Sequence, residues 1–325
     1  MNTRKRLRIF TWHVHGAYLL YLSQIEHEIY IPVKPPEQLV SGSTIGYIGK
    51  VGAIEHRDNI HEIPVDCIHS THFDCILFQS KYAYLYEQFE PGLFTDKQLE
   101  LPKIYLEHDP PRQHPTDTKH FVDNRDTFLV HVTPYNSLMW DSGETKKRVI
   151  EHGVFIPEET PLLGHLKKGI TVINNLKSRD RRLGCDIFLE ARNRTPLDLV
   201  GMDAESLGGL GEVPLRDLPS LLVQYRYLFH PVRYTSLALA ICEAMAVGLP
   251  IVGMATTELP TVIENGLSGY LSNNLSELIP VMQELSMNWK LAHRWGQAAR
   301  RVAQERFNME RFVNDWHDVL DLVAG

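Results

Sequence analysis

Short apolar runs alternate with amphipathic stretches along almost the whole chain. Each apolar run is bounded by polar or turn-forming residues, and this pattern predicts strands. The predicted strands are 7–12, 44–48, 75–78, 103–106, 127–132, 148–150, 171–174, 197–200, 227–230, 251–253 and 269–271. The predicted helices are 18–27, 80–89, 182–194, 215–225, 274–285 and the terminal segment 288–323. Such alternation of strand and helix predicts an α/β protein with parallel sheets covered on both faces.

A segment rich in turn formers and charge, residues 152–168, interrupts this alternation, and a fresh strand follows it. The chain has 325 residues, which suits two domains of about 150 residues each. We therefore expect two Rossmann-like doubly wound domains, 1–155 and 169–305, joined by a connection at 156–168. The last helix, 306–325, is expected to pack back toward the N-terminal domain. Ligands of this architecture bind at the carboxyl ends of the strands, so the two domains would face each other across a binding cleft.

Composition and charge exclude several classes of protein. The formal net charge of −7 argues against a nucleic-acid binder, whose affinity rests on neutralising phosphates. The four cysteines form no C-x-x-C pair, which indicates reduced thiols and a cytoplasmic location. Four basic residues in the first eight either form a solvated chain end or make weak peripheral contact with an anionic inner membrane face. The apolar stretch 237–255 contains Gly248 and Pro250, which would break a membrane-spanning helix.

The run from Tyr227 to Leu271 carries the most chemical information. A strand ends at His230, and a helix is predicted to begin near Thr235 or Ser236, both good N-cap residues. The free amides of 236–239 at the positive end of this helix would suit a diphosphate. Glu243, nearly two turns later, would share that face and could bind two ribose hydroxyls. The alternative interpretation is an ordinary capped helix with a carboxylate satisfied by its neighbours.

This run resembles the signature of the retaining family-four glycosyltransferases, the glycosyl transferases of group 1. The segment E-A-M-A-V-G-L-P-I-V at 243–252 matches closely, and Glu258, Gly266 and Gly269 continue the match. The resemblance extends to R-V-I-E-H-G-V at 148–154, which resembles the family's domain crossover, and to L-D-L-V-G at 197–201. It implies a GT-B fold and a nucleotide-sugar donor whose ribose binds Glu243.

Two departures from the family pattern bear on the donor site. The family's first Glu, which binds the donor sugar, falls on Thr235, and its G-F-G falls on Ser236, Leu237 and Ala238, with Leu239 next. The family's basic pair is displaced: Asn175 stands where an Arg is expected, although basic residues follow closely. Residues expected to contact the diphosphate here are Lys177, Arg182, Arg179 and Asn175, with Arg181 as an alternative. A solvated basic loop is the other interpretation of this segment.

Candidate acceptor-side residues lie in the N-terminal half. The first predicted strand ends in T-W-H-V-H-G, where the family often has a glycine-rich loop. His13, His15 and Gly16 occupy that loop. A second segment, Y-L-E-H-D-P-P-R, places His108 where it resembles a family histidine near the transferred sugar. We predict that His108 and Asp109 are catalytic and that Arg112 helps to hold an acceptor.

The sequence therefore predicts a glycosyltransferase of carbohydrate biosynthesis that moves a hexose from a nucleotide-diphosphate sugar to a sugar or glycolipid acceptor. The resemblance implies retention of anomeric configuration. No cofactor is expected, and no metal either, because cations and a helix terminus could stabilise the leaving diphosphate. One alternative is a catalytically silent GT-B binding protein, which Thr235 favours, and a nucleotide-sugar epimerase is another. A third is a metal-dependent hydrolase using His13 and His15, with His69, His72, His108 and Asp109 as further ligands.

Overall fold

A computed structural model describes residues 5–14, 16–33, 57–158 and 163–325. The chain divides into two compact units, of which the first is Met1–Glu151 with Phe312–Gly325 and the second is His152–Arg311. The predicted strand at 44–48 and His15 lie outside the described residues.

The first unit is built on a seven-stranded sheet in which every neighbouring pair is parallel, in the order β3-β2-β1-β4-β5-β6-β7. Its strands are β1 (Arg8–Thr11), β2 (Glu28–Val33), β3 (Ile60–Pro64), β4 (Cys75–Phe78), β5 (Lys103–Glu107), β6 (Thr127–His131) and β7 (Lys147–Val149). Its helices are α1 (Gly16–Leu22), α2 (Lys81–Leu85), α3 (Asp96–Leu99) and α4 (Pro134–Met139). Because all strands are parallel, their carboxyl ends share one edge of the sheet.

The second unit has a five-stranded parallel sheet in the order β12-β11-β10-β8-β9. Its strands are β8 (Gly169–Val172), β9 (Leu197–Val200), β10 (Tyr227–His230), β11 (Ile251–Gly253) and β12 (Gly269–Leu271). Its helices are α5 (Leu176–Leu183), α6 (Cys185–Arg192), α7 (Leu218–Leu222), α8 (Leu239–Ala246), α9 (Leu275–Met287) and α10 (Trp289–Arg306). Helix α11 (Met309–Ala324) follows, and from Phe312 onwards it belongs to the first unit.

Helix α11 is strongly amphipathic, and its buried residues recur at helical spacing: Phe312, Trp316, Val319 and Leu320. Within the first unit, Trp316 donates a hydrogen bond from Nε1 to Tyr18 Oη at 3.2 Å, and Phe312 packs edge-on against Tyr18. Arg148 pairs with Asp318 at 3.1 Å on the outside of the same unit. These contacts hold the chain terminus against α1 and β7.

The C-terminal end of α8 is held closely against α10. Gly248, with φ of +79°, ends the helix in the left-handed conformation that favours glycine. A Cβ on Gly296 of α10 would lie 1.8 Å from the main-chain oxygen of Gly248, so the approach requires glycine there. Arg300 of α10 donates to the main-chain oxygen of Ala246 at 2.7 Å, which satisfies a carbonyl at the helix end. The position of α8 is thereby fixed from its C-terminal side.

Every predicted strand that falls on described residues has a counterpart in the structure, and five of them match to the residue. Strands β2 and β3 were not predicted. The single helix predicted at 182–194 is wrong, because Gly184, with φ of +77°, separates α5 from α6. A Cβ at Gly184 would lie 2.0 Å from the main-chain oxygen of Pro231, so this break is imposed by close packing. Among the described helices, none combines the length and apolarity needed to span a membrane.

Candidate functional site

The carboxyl edge of the second sheet brings two loops together. Strands β10 and β11 are adjacent and in register, with His230 opposite Gly253, so the loops that follow them leave the sheet side by side. The first loop, 231–238, leads into α8. In the second loop, Thr256 donates a hydrogen bond from Oγ1 to the main-chain oxygen of Val232 at 2.8 Å. The segment resembling a donor site therefore lies at the edge where doubly wound sheets bind ligands.

Helix α8 begins later than the sequence predicts. Its first residue is Leu239, and its N-cap is Ala238, with extended backbone angles (φ −74°, ψ 136°) and no capping side chain. The prediction that Thr235 or Ser236 caps the helix is wrong. The amides at the positive end of α8 therefore belong to Leu239 and its successors, three residues beyond Ser236.

Glu243 lies one turn into α8, on the same face as Leu239. Only 7% of its surface is exposed. The prediction that it lies nearly two helical turns from Ser236 is wrong, because residues 236–238 are not helical. The corrected geometry places the carboxylate nearer to the helix N-terminus. The carboxylate and the first amides of α8 thus belong to one short helix, with Glu243 four residues after Leu239.

Ser236 has a buried hydroxyl that the surrounding protein does not satisfy. The residue is 6% exposed, and among the described residues its Oγ has no hydrogen-bond partner. Burying a hydroxyl without a partner costs free energy, on the order of 1–3 kcal/mol. A ligand oxygen or amide at this loop would recover that cost, and the role of Ser236 as a donor contact stays a prediction. Thr235 beside it is half-buried.

His152 lies beside the loop before α8, although no sequence pattern singled it out as a site residue. Its Nε2 lies 2.8 Å from the main-chain oxygen of Leu237, and the residue is buried. Arg311 donates to the main-chain oxygen of His152. The amide of Val154 donates to the main-chain oxygen of Phe307 at 2.9 Å. The segment around His152 is thus tied both to the end of the second unit and to the loop ahead of α8. The signal lay within the motif R-V-I-E-H-G-V.

The prediction of a basic loop after β8 is wrong, because residues 176–183 form helix α5, and the end of this helix packs against the loop before α8. Arg233, which the sequence analysis did not select, makes a two-pronged pair with Asp186: Nη1 to Oδ1 at 2.6 Å and Nη2 to Oδ2 at 2.7 Å. Its Nη1 also donates to the main-chain oxygen of Arg181 at 2.8 Å. The main-chain amide of Arg233 donates to the main-chain oxygen of Arg182 at 3.1 Å. The hydrogen bond from Arg233 lowers the pKa of Asp186 and, reciprocally, raises that of Arg233.

The predicted diphosphate contacts therefore differ in their surroundings. Arg181 pairs with Asp186 at 2.9 Å, whereas Lys177 and Arg179 are exposed and Arg182 is half-buried. Asn175 adopts a left-handed conformation with φ of +55° at the start of α5. Lys177, Arg179, Arg182 and Asn175 remain predictions as donor contacts.

The loop after β11 contains a strained residue. Thr257 has φ of +52°, a conformation that β-branched residues rarely adopt and that costs on the order of 1–3 kcal/mol. The next residue, Glu258, is almost fully buried, and its Oε1 lies 3.0 Å from Arg306 Nη2. Such strain persists only where its surroundings enforce it, and the residue next to Thr257 is held by its pair with Arg306. Burial also lowers the pKa of His230, at the end of β10, to about 4, so this side chain is neutral at the edge.

In the first unit, His108 and Asp109 follow β5 directly and are held by several neighbours. His108 Nε2 lies 3.1 Å from Gln79 Oε1, and Tyr18 packs edge-on against its ring at 4.9 Å. The amide of Asp109 donates to Glu107 Oε1 at 2.9 Å, and Trp140 Nε1 donates to the Asp109 main-chain oxygen at 2.8 Å.

The remaining acceptor-side predictions have mixed outcomes in the structure. Arg112 pairs with Asp109 through its guanidinium, and Gly16 begins α1. His13 is fully buried directly after β1, so a direct contact with an acceptor would require its side chain to move. The role of His13 on the acceptor side stays a prediction. Among the described residues, no three His, Cys, Asp or Glu side chains form a group that could bind a metal. The histidines named for the hydrolase alternative therefore form no such group within this part of the chain.

Comparison with known proteins finds a family that part of this chain resembles. Residues 205–302 match the family described as Glycosyl transferases group 1. A stretch of 120 residues is 27% identical to an uncharacterized 41.2 kDa protein in the cps region of Klebsiella pneumoniae, and it covers 35% of this chain and 32% of that protein. The match thus spans about a third of that relative's length.

Two solved structures are similar over nearly the whole chain. Sucrose-phosphate synthase from Thermosynechococcus elongatus superposes with a TM-score of 0.70 at 15% identity, covering 98% of this chain and 99% of that one. HepE of Anabaena, solved with UDP and glucose, has a TM-score of 0.69 at 14% identity and coverages of 97% and 100%. At these identities the similarity shows the fold, which is the GT-B fold.

Proposed function

We propose that this chain, a group 1 glycosyltransferase by its domain at 205–302, transfers a sugar from a uridine-diphosphate sugar to an acceptor hydroxyl. The observation that supports this most is the position of Glu243. It is a buried carboxylate one turn into a helix whose N-terminal amides lie at the carboxyl edge of a parallel sheet. The choice of uridine rests on HepE, a protein of the same fold that was solved with UDP and glucose.

In this proposal the second unit binds the donor. The ribose hydroxyls donate to Glu243, and the diphosphate accepts hydrogen bonds from the first amides of α8 and from the hydroxyl of Ser236. Lys177, Arg179 and Arg182 of α5 supply positive charge as the diphosphate leaves, with Asn175 at the N-cap of that helix, so the charge is balanced by the chain's own groups without a metal. The remaining residues of the loop, Thr235, Leu237 and Ala238, shape the sugar end of the site.

The transfer step proceeds with retention. The bond from the sugar's anomeric carbon to the phosphate oxygen breaks, and the acceptor oxygen forms its bond to the same face of that carbon. The acceptor's proton passes to the departing phosphate oxygen, so the products are the glycoside and UDP. His108 and Asp109 of the first unit contribute to transfer, and the acceptor is a sugar or glycolipid.

Thermal stabilisation by a panel of nucleoside diphosphates and their sugars, with and without EDTA, tests donor binding. A shift with UDP and UDP-sugars that EDTA leaves unchanged supports the proposal, and no shift with any nucleotide refutes it. Release of UDP from bound UDP-sugar, measured with and without a mixture of sugar and glycolipid acceptors, then tests transfer. Binding of UDP-sugar without release of UDP would instead favour a catalytically silent binding protein, the alternative suggested by Thr235 in place of the family's first Glu.

A further inference from the structure

Gln79, directly after β4, has an amide whose orientation the surrounding chain determines. The residue is buried, and its Nε2 donates to Thr11 Oγ1 at 3.1 Å and to the main-chain oxygen of Trp12 at 3.3 Å. A main-chain oxygen can only accept. Thr11 Oγ1 donates its own hydrogen to the main-chain oxygen of Leu77 at 2.7 Å, so toward Gln79 it also accepts. Both partners therefore require the amide nitrogen on their side.

This orientation turns the carbonyl oxygen of Gln79 toward His108. Its Oε1 lies 3.1 Å from His108 Nε2. Because an amide oxygen accepts and cannot donate, Nε2 must carry a hydrogen. A neutral imidazole carries only one, so Nδ1 holds the lone pair. The hydrogen bonds run in one direction, from His108 through Gln79 and Thr11 to Leu77.

We infer that Gln79 is a positioning residue that fixes His108 as the Nε2–H tautomer and makes Nδ1 its accepting atom. Tyr18, edge-on to the ring at 4.9 Å and 86°, fixes the ring plane from another side. A substrate hydroxyl that reaches Nδ1 must then donate its hydrogen to His108. The functional part of this inference rests on the proposed role of His108 in sugar transfer, whereas the tautomer itself does not.

Nitrogen NMR of the 15N-labelled full chain measures the tautomer directly. The His108 signals are assigned by their loss in His108→Gln, and spectra are recorded near pH 8, where histidine is ordinarily neutral. We expect Nε2 to have the shift of a protonated nitrogen and Nδ1 that of an unprotonated one. A protonated Nδ1 in the unaltered chain would overturn the inference.

Variants at Gln79 separate positioning from a general effect on folding. Gln79→Leu removes the acceptor, so the His108 signals should move toward an average of both tautomers. Gln79→Glu keeps an accepting oxygen for Nε2, so that nitrogen should stay protonated, but it lacks the donor that Thr11 and Trp12 accept from and does not restore the whole network. The matched control is Gln98→Leu, which removes a buried amide of the same unit that donates to Ile68 and Thr71 and should leave His108 unchanged. Identical His108 signals in Gln79→Leu and the unaltered chain would contradict the inference.

Kinetics test the consequence for transfer. Gln79→Leu should reduce turnover roughly ten- to a hundredfold, because a misplaced group loses its alignment with the substrate. Because Gln79 acts on transfer only by fixing the imidazole of His108, Gln79→Leu should add no further loss of turnover to His108→Gln. Additive losses would overturn the positioning role. If the unaltered chain transfers no sugar, the proposed function fails, while the NMR result still decides the tautomer.

Discussion

His152 Nε2 donates a hydrogen bond to the main-chain oxygen of Leu237, with a separation of 2.8 Å, immediately ahead of α8. If the helix began at Ser236, this oxygen would accept from the amide of Ile241, four residues later. That amide instead bonds to the oxygen of Ala238 at 3.0 Å. The imidazole thus takes the place of a helical hydrogen bond, and the loop that carries Ser236 stays outside the helix.

Replacing His152 with alanine should weaken donor binding and stability together. The substitution leaves the oxygen of Leu237 without its partner, at a cost of about 1–3 kcal/mol. We expect the affinity for UDP to fall about tenfold, because the loop before α8 loses its anchor. Calorimetric titration with UDP and urea unfolding measure the two effects. His165→Ala, which removes an exposed histidine of the same unit, is the control. UDP affinity equal to that of the unaltered chain would show that His152 does not hold the donor loop.

The pair of Asp186 and Arg233 should stabilise the second unit in a pH-dependent way. Its hydrogen bond lowers the pKa of Asp186 in the folded state, below an unfolded value near 4. The pair therefore stabilises the folded chain above that pH, and the contribution is lost as the pH falls through the lower, folded pKa. Asp186 is 40% exposed, so solvent limits the gain to about 1 kcal/mol or less.

Urea unfolding of the unaltered chain and Asp186→Asn tests this pair. The difference in unfolding free energy should be present at pH 7 and should shrink near pH 3. High salt should reduce it at pH 7 as well, since the pair is partly exposed. If the difference in unfolding free energy stayed constant from pH 7 to pH 3, the charge of the Asp186 carboxylate would not be what stabilises the folded chain.

His131 should make the chain less stable in mild acid. Burial lowers its folded pKa to about 3, whereas an unfolded histidine titrates near 6.5. Below pH 6.5 the unfolded state binds a proton that the folded state does not, so stability falls by about 1.4 kcal/mol per pH unit until pH 3 is approached. His131→Gln should remove about 2 kcal/mol of the loss between pH 6.5 and 5.

Unfolding free energies at these two pH values measure the effect of His131. His114→Gln changes an exposed histidine of the same unit and should leave the pH dependence as it is. Parallel curves for His131→Gln and the unaltered chain would mean that the imidazole titrates normally in the folded state.

The alternation of strands and helices was readable from the sequence because most strands are buried on both faces. Strands such as β10 and β11 are continuous apolar runs, which parallel sheets require. Strand β3 lies at the sheet edge and reads I-H-E-I-P, and β2 beside it contains Pro32 and half-buried polar residues. Strand β3 has no apolar run. Strand β2 has one at I-Y-I, but Pro32 follows within the same strand, and a proline argues against a central strand.

The errors near the candidate site have tertiary causes. Thr235 and Ser236 are good capping residues, but the bond from His152, 85 positions away, excludes Leu237 from the helix. Gly184 lies against Pro231, and this approach breaks a segment that looks like one helix. The pair of Asp186 and Arg233 likewise joins residues 47 positions apart. Local patterns carry no information about such contacts. The sequence therefore indicated the segment of the candidate site, but not the long-range contacts that hold that segment in place.

Titration of UDP into the unaltered chain and Glu243→Gln tests most directly whether the buried carboxylate of α8 belongs to the donor site. Replacing the carboxylate with an amide removes charged hydrogen bonds to the ribose, worth about 1.5–3 kcal/mol. We expect UDP affinity to fall roughly ten- to a hundredfold in Glu243→Gln, and urea unfolding without ligand shows that the variant is folded. Glu284→Gln, on the exposed surface of α9, should bind UDP normally. Equal UDP affinity in Glu243→Gln and the unaltered chain would contradict the assignment of Glu243 to the donor site.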